Sequence, residues 1–216
     1  MLVAGDVMLG RGVARHYEAI DEGLKDIRAT LGLCPVVANL ESPVCEAHPI
    51  VEYGFRADPA KCESILKSFG ALSVANNHAL DCGLKGFRET VSNLKDFGIA
   101  VIGYRPAGSL QEPAWFAVDE HVLSVIGLLD SRLLPEAVDS DIATCDDISI
   151  VRREILKART HSDCVICLLH AGDEMTSFPL EHEKALPRLL LSCGVDVVVR
   201  SHAHTLQGYE RTPEGL

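Results

Sequence analysis

The sequence predicts an α/β protein built on a mixed sheet, or on two packed sheets, with helices on the outside. Apolar runs of strand length alternate with amphipathic helical stretches along most of the chain. That alternation is the mark of parallel strands joined by crossover helices. In the middle, the polar turn Asp119-Glu120-His121 separates two apolar runs, which signals an antiparallel hairpin. No apolar run approaches the ~20 residues of a membrane helix.

The elements read in order as follows. Leu2–Val7 is a strand, and Val13–Leu31 is largely helical with an expected break near Gly23. Val36–Leu40 is a second strand. Pro59–Phe69 is a helix, because proline at the first helical position loses no hydrogen bond. Leu72–Ala75 is a short strand, Leu84–Phe97 a helix closed by Gly98, and Ile99–Ile102 a strand. Trp115–Val118 and Val122–Leu129 form the hairpin. Ile148–Ala158 is a helix and Cys164–Leu169 a strand. Leu180–Ser192 is helical, with Pro187 expected to kink or restart it. Val195–Val199 is a strand, and Leu206–Tyr209 is expected to begin another hairpin.

The chain has 216 residues, enough for one well-buried domain. Lys and Arg number 20 against 31 Asp and Glu, a net charge of −11. Such a surface repels phosphate backbones and argues against nucleic acid as a partner. It leaves open a small anionic substrate, because a bound cation reverses the local field. The 8 cysteines fall mostly inside apolar patterns, as at Cys62, Cys164, Cys167 and Cys193. They are expected to be reduced core thiols in a cytoplasmic protein. Cys164 and Cys167 lie three apart on a strand and so point to opposite faces, which disfavours a redox or zinc pair. Met1-Leu2-Val3-Ala4 reads as the start of a strand rather than of a targeting segment.

The chemistry collects where the strands end. The first strand ends in Gly5-Asp6-Val7-Met8, the second in Asn39-Leu40-Glu41, and the third in Asn76-Asn77-His78. The strand from Cys164 runs into His170, and the strand from Val195 leads into Ser201-His202-Ala203-His204. Ligands of open α/β sheets bind outside the carboxyl ends of the strands. Each residue alone has a plainer reading: an Asp after a strand is usually a cap, and Asn-Asn a turn. Together they suit a divalent transition metal, since imidazole and carboxylate favour Zn, Mn, Fe or Ni. Two ions sharing a carboxylate would polarise a phosphoryl-type oxygen and acidify a water. His16, His48, His161 and His182 read as surface residues. Ser42 and Ser201 lack the Gly-x-Ser-x-Gly turn of a serine nucleophile. Gly5…Gly10…Gly12 is not a phosphate loop, since no Gly-Lys-Ser/Thr follows.

These motifs resemble the bacterial capsule-synthesis and poly-γ-glutamate CapA family, related to the calcineurin-like metallophosphoesterases. The segments that carry the resemblance are Gly5–Arg11, Asn39–Pro43, Phe55–Pro59, Ala75–Gly83, His170–Glu174 and His202–Gln207, in that order. The resemblance implies a metallophosphatase-like four-layer αββα sandwich with mixed sheets, as a single domain over residues 1–216. Family members continue into a further strand, so C-terminal incompleteness is expected.

The resemblance also implies roles. Asp6 would bind a first ion, Glu41 would bridge, and Asn77, His170 and His202 would bind a second, with His204 returning to the first. His78 would act beside the substrate as an acid or transition-state stabiliser. Arg11 would face an anionic group, and Asp81 and Glu174 would support the ligands. One or two divalent ions, Mn, Zn or Fe, are implied. Metallophosphoesterases place a histidine two residues after the first aspartate, where this chain has Met8. Ala171 and Ala203 stand where tryptophan and proline are usual. Two functions follow: a metal-dependent phosphoesterase-like hydrolase, in which metal-bound hydroxide attacks the ester, or a non-catalytic accessory protein of capsule or poly-γ-glutamate synthesis or export. The implied partners are a small anionic or polyanionic substrate and a polyglutamate or capsule synthase.

Overall fold

A computed structural model describes residues 1–32, 34–106, 109–134 and 141–216. The chain divides into two compact units, Met1–Val101 and Ile102–Leu216.

The first unit holds a sheet in chain order: β1 (Leu2–Val7), β2 (Val36–Leu40), β3 (Ala71–Ser73) and β4 (Ala100–Ile102), whose last residue opens the second unit. β1 pairs with β2, and β2 with β3, in parallel. The crossovers are α1 (Tyr17–Leu31), α2 (Pro59–Leu66) and α3 (Gly83–Asp96). Every residue of β2 is buried, Asn39 included, as in a parallel-sheet strand covered on both faces. Each such Val or Leu stabilises the fold by ~1.5–3 kcal/mol. Asp58 caps α2, its carboxylate accepting from the amides of Ala60 (3.1 Å) and Lys61 (3.4 Å), with Pro59 at the first position.

Two details position the site. The β1–β2 register shifts between Val3 and Asp6, so β1 carries an extra residue there. The bulge sets Asp6 opposite Asn39 and re-aims its side chain. The expected break at Gly23 is absent: α1 runs through it, since one glycine inside a helix costs only ~1 kcal/mol. The interruption falls instead at His16, between a 3₁₀ turn (Arg11–Arg15) and α1.

The second unit holds β5 (Ala114–Val118), β6 (His121–Leu129), β7 (Cys164–His170) and β8 (Val197–Ser201), in that order. β5 and β6 form the antiparallel hairpin, closed at Val118↔His121, with Asp119 in the left-handed region (φ 55°). β6–β7 and β7–β8 are parallel, so the sheet is mixed. α4 (Ile148–Arg159) packs on β7 and α5 (Glu181–Ser192) on β8. Ile155, Val165, Cys167, Leu169, Leu190 and Val195 form the centre of its core. Pro187 lies inside α5, which continues past it as one helix. Leu206–Tyr209 forms no strand, and the hairpin expected there is absent.

All eight cysteines are free thiols. Burial pushes Cys62, Cys82 and Cys145 up to about 12 and Cys167 well above its ordinary value. These are protonated packing residues.

Candidate metal centre

In the first unit the polar residues gather at the carboxyl ends of β1, β2 and β3. Asn39 is buried and donates to Asp6 Oδ1 at 2.7 Å. Asn76, fully buried, donates to Asn39 Oδ1 (3.2 Å) and to the carbonyl of Leu40 (2.8 Å). Its own Oδ1 accepts from the backbone N–H of His78 (3.1 Å). Two asparagines thus tie three strand ends together and hold Asp6 in one rotamer. Glu41 is buried immediately after β2, its amide bonded to the carbonyl of Val7 (2.9 Å). Asn77 is half-buried between Asn76 and His78 in the same turn.

His78 is oriented from one side. Asp81 Oδ2 lies 3.0 Å from His78 Nδ1 and accepts from the amide of Phe55 at 2.6 Å. The Phe55 ring stacks obliquely on the imidazole, with centroids 4.1 Å apart. On Phe55 also sits the Arg11 guanidinium, 4.2 Å from the ring centroid. Arg11 donates to the carbonyl of Tyr53 and has a positive φ of 50°. Its charge is therefore held in place at an exposed position. Met8 turns its sulfur back to the amide of Gly10 at 3.1 Å, within its own turn.

In the second unit the strand ends carry histidines. His170 closes β7 opposite Ser201 of β8, and its Nδ1 lies 2.9 Å from Ser201 Oγ. The rings of His170 and His202 are 4.8 Å apart, and those of His202 and His204 are 6.0 Å apart. His170 and His202 are buried and His204 exposed. Donor atoms of Glu174, His202 and His204 all lie within 4.8 Å of one another. Both His202 (φ 94°) and His204 (φ 52°) occupy the left-handed region, which costs a non-glycine residue about 1–3 kcal/mol.

The support under this loop is Glu183, buried in the first turn of α5. It accepts from the amides of Asp173 (2.9 Å) and Leu180 (2.5 Å) and pairs with Arg200 (3.5 Å). Burial works against its charged form, but the two amides and the guanidinium outweigh that, so its carboxyl is held below the usual range. Gly172 (φ 102°) is required here. A Cβ would stand 2.5 Å from Arg200 Nη2 and 2.6 Å from Glu183 Oε1.

The donor set fits a divalent transition ion. Ligand bonds of about 2.0–2.2 Å place neighbouring donors roughly 3–4 Å apart, a small contraction from what is seen. The family model for "Bacterial capsule synthesis protein PGA_cap" matches residues 1–216. The chain belongs to the PGA_cap family. Among its relatives are the "PGA biosynthesis protein CapA" of Bacillus subtilis, 24% identical over 95% of this chain, and the "Capsule biosynthesis protein CapA" of Bacillus anthracis, 24% identical over 100% of this chain. The PGA_cap chain spans 57% of either relative. Solved structures with the same fold include a novel phosphatase from Mycoplasma pneumoniae (TM-score 0.60, 16% identity, covering 98% of this chain and 67% of that one). Another is a protein described as a 5'-nucleotidase, from Staphylococcus aureus, in complex with α-ketoglutarate (TM-score 0.62, 14% identity, 99% and 46%). These likenesses establish the metallophosphatase-like α/β fold of this PGA_cap chain.

The sequence motifs therefore lead to two groups of polar residues. Asp6, Glu41, Asn77, His78, Asp81 and Arg11 fall in the first unit, and His170, Glu174, His202 and His204 in the second. The motif reading assigned no role to Asn39, Asn76 or Phe55. Asn39 and Asn76 sit inside motif segments, but only burial of an amide side chain marks them as structural ties. Among the described residues no helix is long and apolar enough to cross a membrane.

Proposed function

We propose that this PGA_cap domain is a metal-dependent hydrolase of phosphoester or related anionic ester bonds. The observation that carries the reading is the approach of Glu174, His202 and His204 to within 4.8 Å, on backbone held in a costly conformation. Strain of this kind clusters at functional sites because a plain loop would relax it. The resemblance implies Asp6, Glu41, Asn77, His170, His202 and His204 as ligands. A divalent ion there supplies Lewis acidity and lowers the pKa of a coordinated water.

The chain's own residues do the rest. Ser201 fixes the orientation of the His170 ring, and Asn39 fixes Asp6. His78, braced by Asp81 at Nδ1, presents Nε2 to the leaving oxygen and gives it a proton. Arg11, seated on Phe55, pairs with a negative group of the substrate. The fold neighbours described as a phosphatase and a 5'-nucleotidase support this chemistry. The test is metal analysis of the purified protein and a phosphoester panel with added Mn²⁺ or Zn²⁺. Bound metal at one equivalent or more, with turnover abolished in His202→Ala, supports the hydrolase.

The names of the Bacillus relatives favour a second reading, an accessory role in poly-γ-glutamate or capsule synthesis beside a synthase. Metal uptake without turnover on any phosphoester, together with binding to polyglutamate, decides for it.

A further inference from the structure

We propose that Glu174 is itself a metal ligand, forming a carboxylate–imidazole set with His202 and His204. The inference rests on the metal-site reading and goes beyond it, since the resemblance gives Glu174 a supporting role only.

The geometry is the first argument. A Glu174 carboxylate oxygen lies within 4.8 Å of ring nitrogens on both histidines, which is near coordination spacing before any ion draws them in. The second argument is how the approach is enforced. The loop carrying Glu174 and the loop carrying the histidines are stitched together by main-chain and side-chain hydrogen bonds. Met175 donates its amide to the carbonyl of Ala203 at 2.8 Å. Thr205 Oγ1 and Gln207 Nε2 both donate to the carbonyl of Thr176, at 2.7 and 2.8 Å. Below them, Arg200 joins Glu183 to Gln207 Oε1 (3.2 Å). Met175 is itself left-handed (φ 56°), so the chain turns sharply just after Glu174. The backbone is thus fixed on both sides of an exposed carboxylate.

Donor chemistry is the third argument. Two neutral imidazoles leave a divalent charge uncompensated, whereas a carboxylate neutralises part of it.

Isothermal titration of the metal-free protein with Mn²⁺ or Zn²⁺ tests the assignment without reference to activity. Glu174→Gln keeps the shape and an acceptor oxygen but loses the charge. It is expected to raise Kd at least tenfold, as is His204→Ala, while Glu174→Asp falls in between and far-UV circular dichroism is unchanged. A Glu174→Gln protein that binds as tightly as the wild type overturns the ligand role and leaves the metal site standing. A wild-type protein that takes up neither ion overturns the metal-site reading itself.

Discussion

Asp81 Oδ2 stands 3.0 Å from His78 Nδ1, three residues earlier in the same turn, and the same oxygen accepts the amide of Phe55. One carboxylate thus fixes an imidazole and the segment that carries the ring stacked on it. Because Nδ1 is engaged, Nε2 is the ring nitrogen that the proposed hydrolase would use for proton transfer.

From this pairing, Asp81→Asn is expected to lower kcat by roughly 10–100-fold with little change in KM, the usual cost of losing a partner that orients a working group. Phe55→Ala removes the platform under Arg11 and is expected to raise KM more than it lowers kcat. Steady-state kinetics on a phosphoester that turns over separates the two. Equal effects of both variants on kcat and KM would contradict the division of labour.

The backbone at His202 predicts an inverted stability order. At φ 94° an alanine is strained and a glycine is not. Both His202→Ala and His202→Gly delete the imidazole, so they differ only in backbone fit. His202→Gly is expected to be the more stable by about 1 kcal/mol without metal, where glycine is ordinarily the worse residue. Thermal unfolding of the two metal-free variants checks this, and an alanine variant that melts higher refutes it.

Much of this was legible in the sequence because strand ends carry their signals locally. Leu2–Val7 and Val36–Leu40 stand as read, since apolar runs bounded by glycine, proline or charge have little freedom of boundary. That Asp6, Glu41, His170 and His202 stand at or just past the carboxyl ends of their strands was legible from the apolar runs that precede them, and their role as ligands is the proposal made above. Asn39 and Asn76 were not legible as ties, because their bond spans 37 residues and depends on register. The bulge before Asp6 is likewise a property of pairing rather than of composition. Helix α1 shows the opposite failure: a glycine that reads as a break locally costs too little to interrupt the helix. Leu206–Tyr209, read as the start of a hairpin, forms no strand.

The thiols predict selective reactivity. Cys62, Cys82, Cys145 and Cys167 have raised pKa values, from burial above all, so almost none is thiolate near pH 8. Half-buried Cys34 is expected to label first with a maleimide, and those four only after denaturation. Peptide mass mapping after a brief native pulse reads this directly. Native labelling of Cys62 or Cys167 ahead of Cys34 would show that the core opens.

Glu183 predicts an acid limb of stability. Its folded-state pKa is depressed below the ordinary glutamate value of about 4.3. The unfolded chain therefore binds the proton more readily. The stabilisation is fully present above the unfolded value and is lost as pH falls through the folded one. Glu183→Gln keeps acceptor capacity at one oxygen but loses the ion pair with Arg200 and one of the two amide contacts. It is expected to cost about 1–3 kcal/mol at neutral pH. The gap between variant and wild type should narrow below pH ~4 as the native carboxylate is protonated. Because Glu183 also braces the loop that carries Glu174, the variant should bind Mn²⁺ more weakly even where it remains folded. Denaturant unfolding from pH 3 to 7 gives the first readout and metal titration at pH 7 the second. A pH-independent gap would mean that the carboxylate's charge contributes nothing to this corner of the fold.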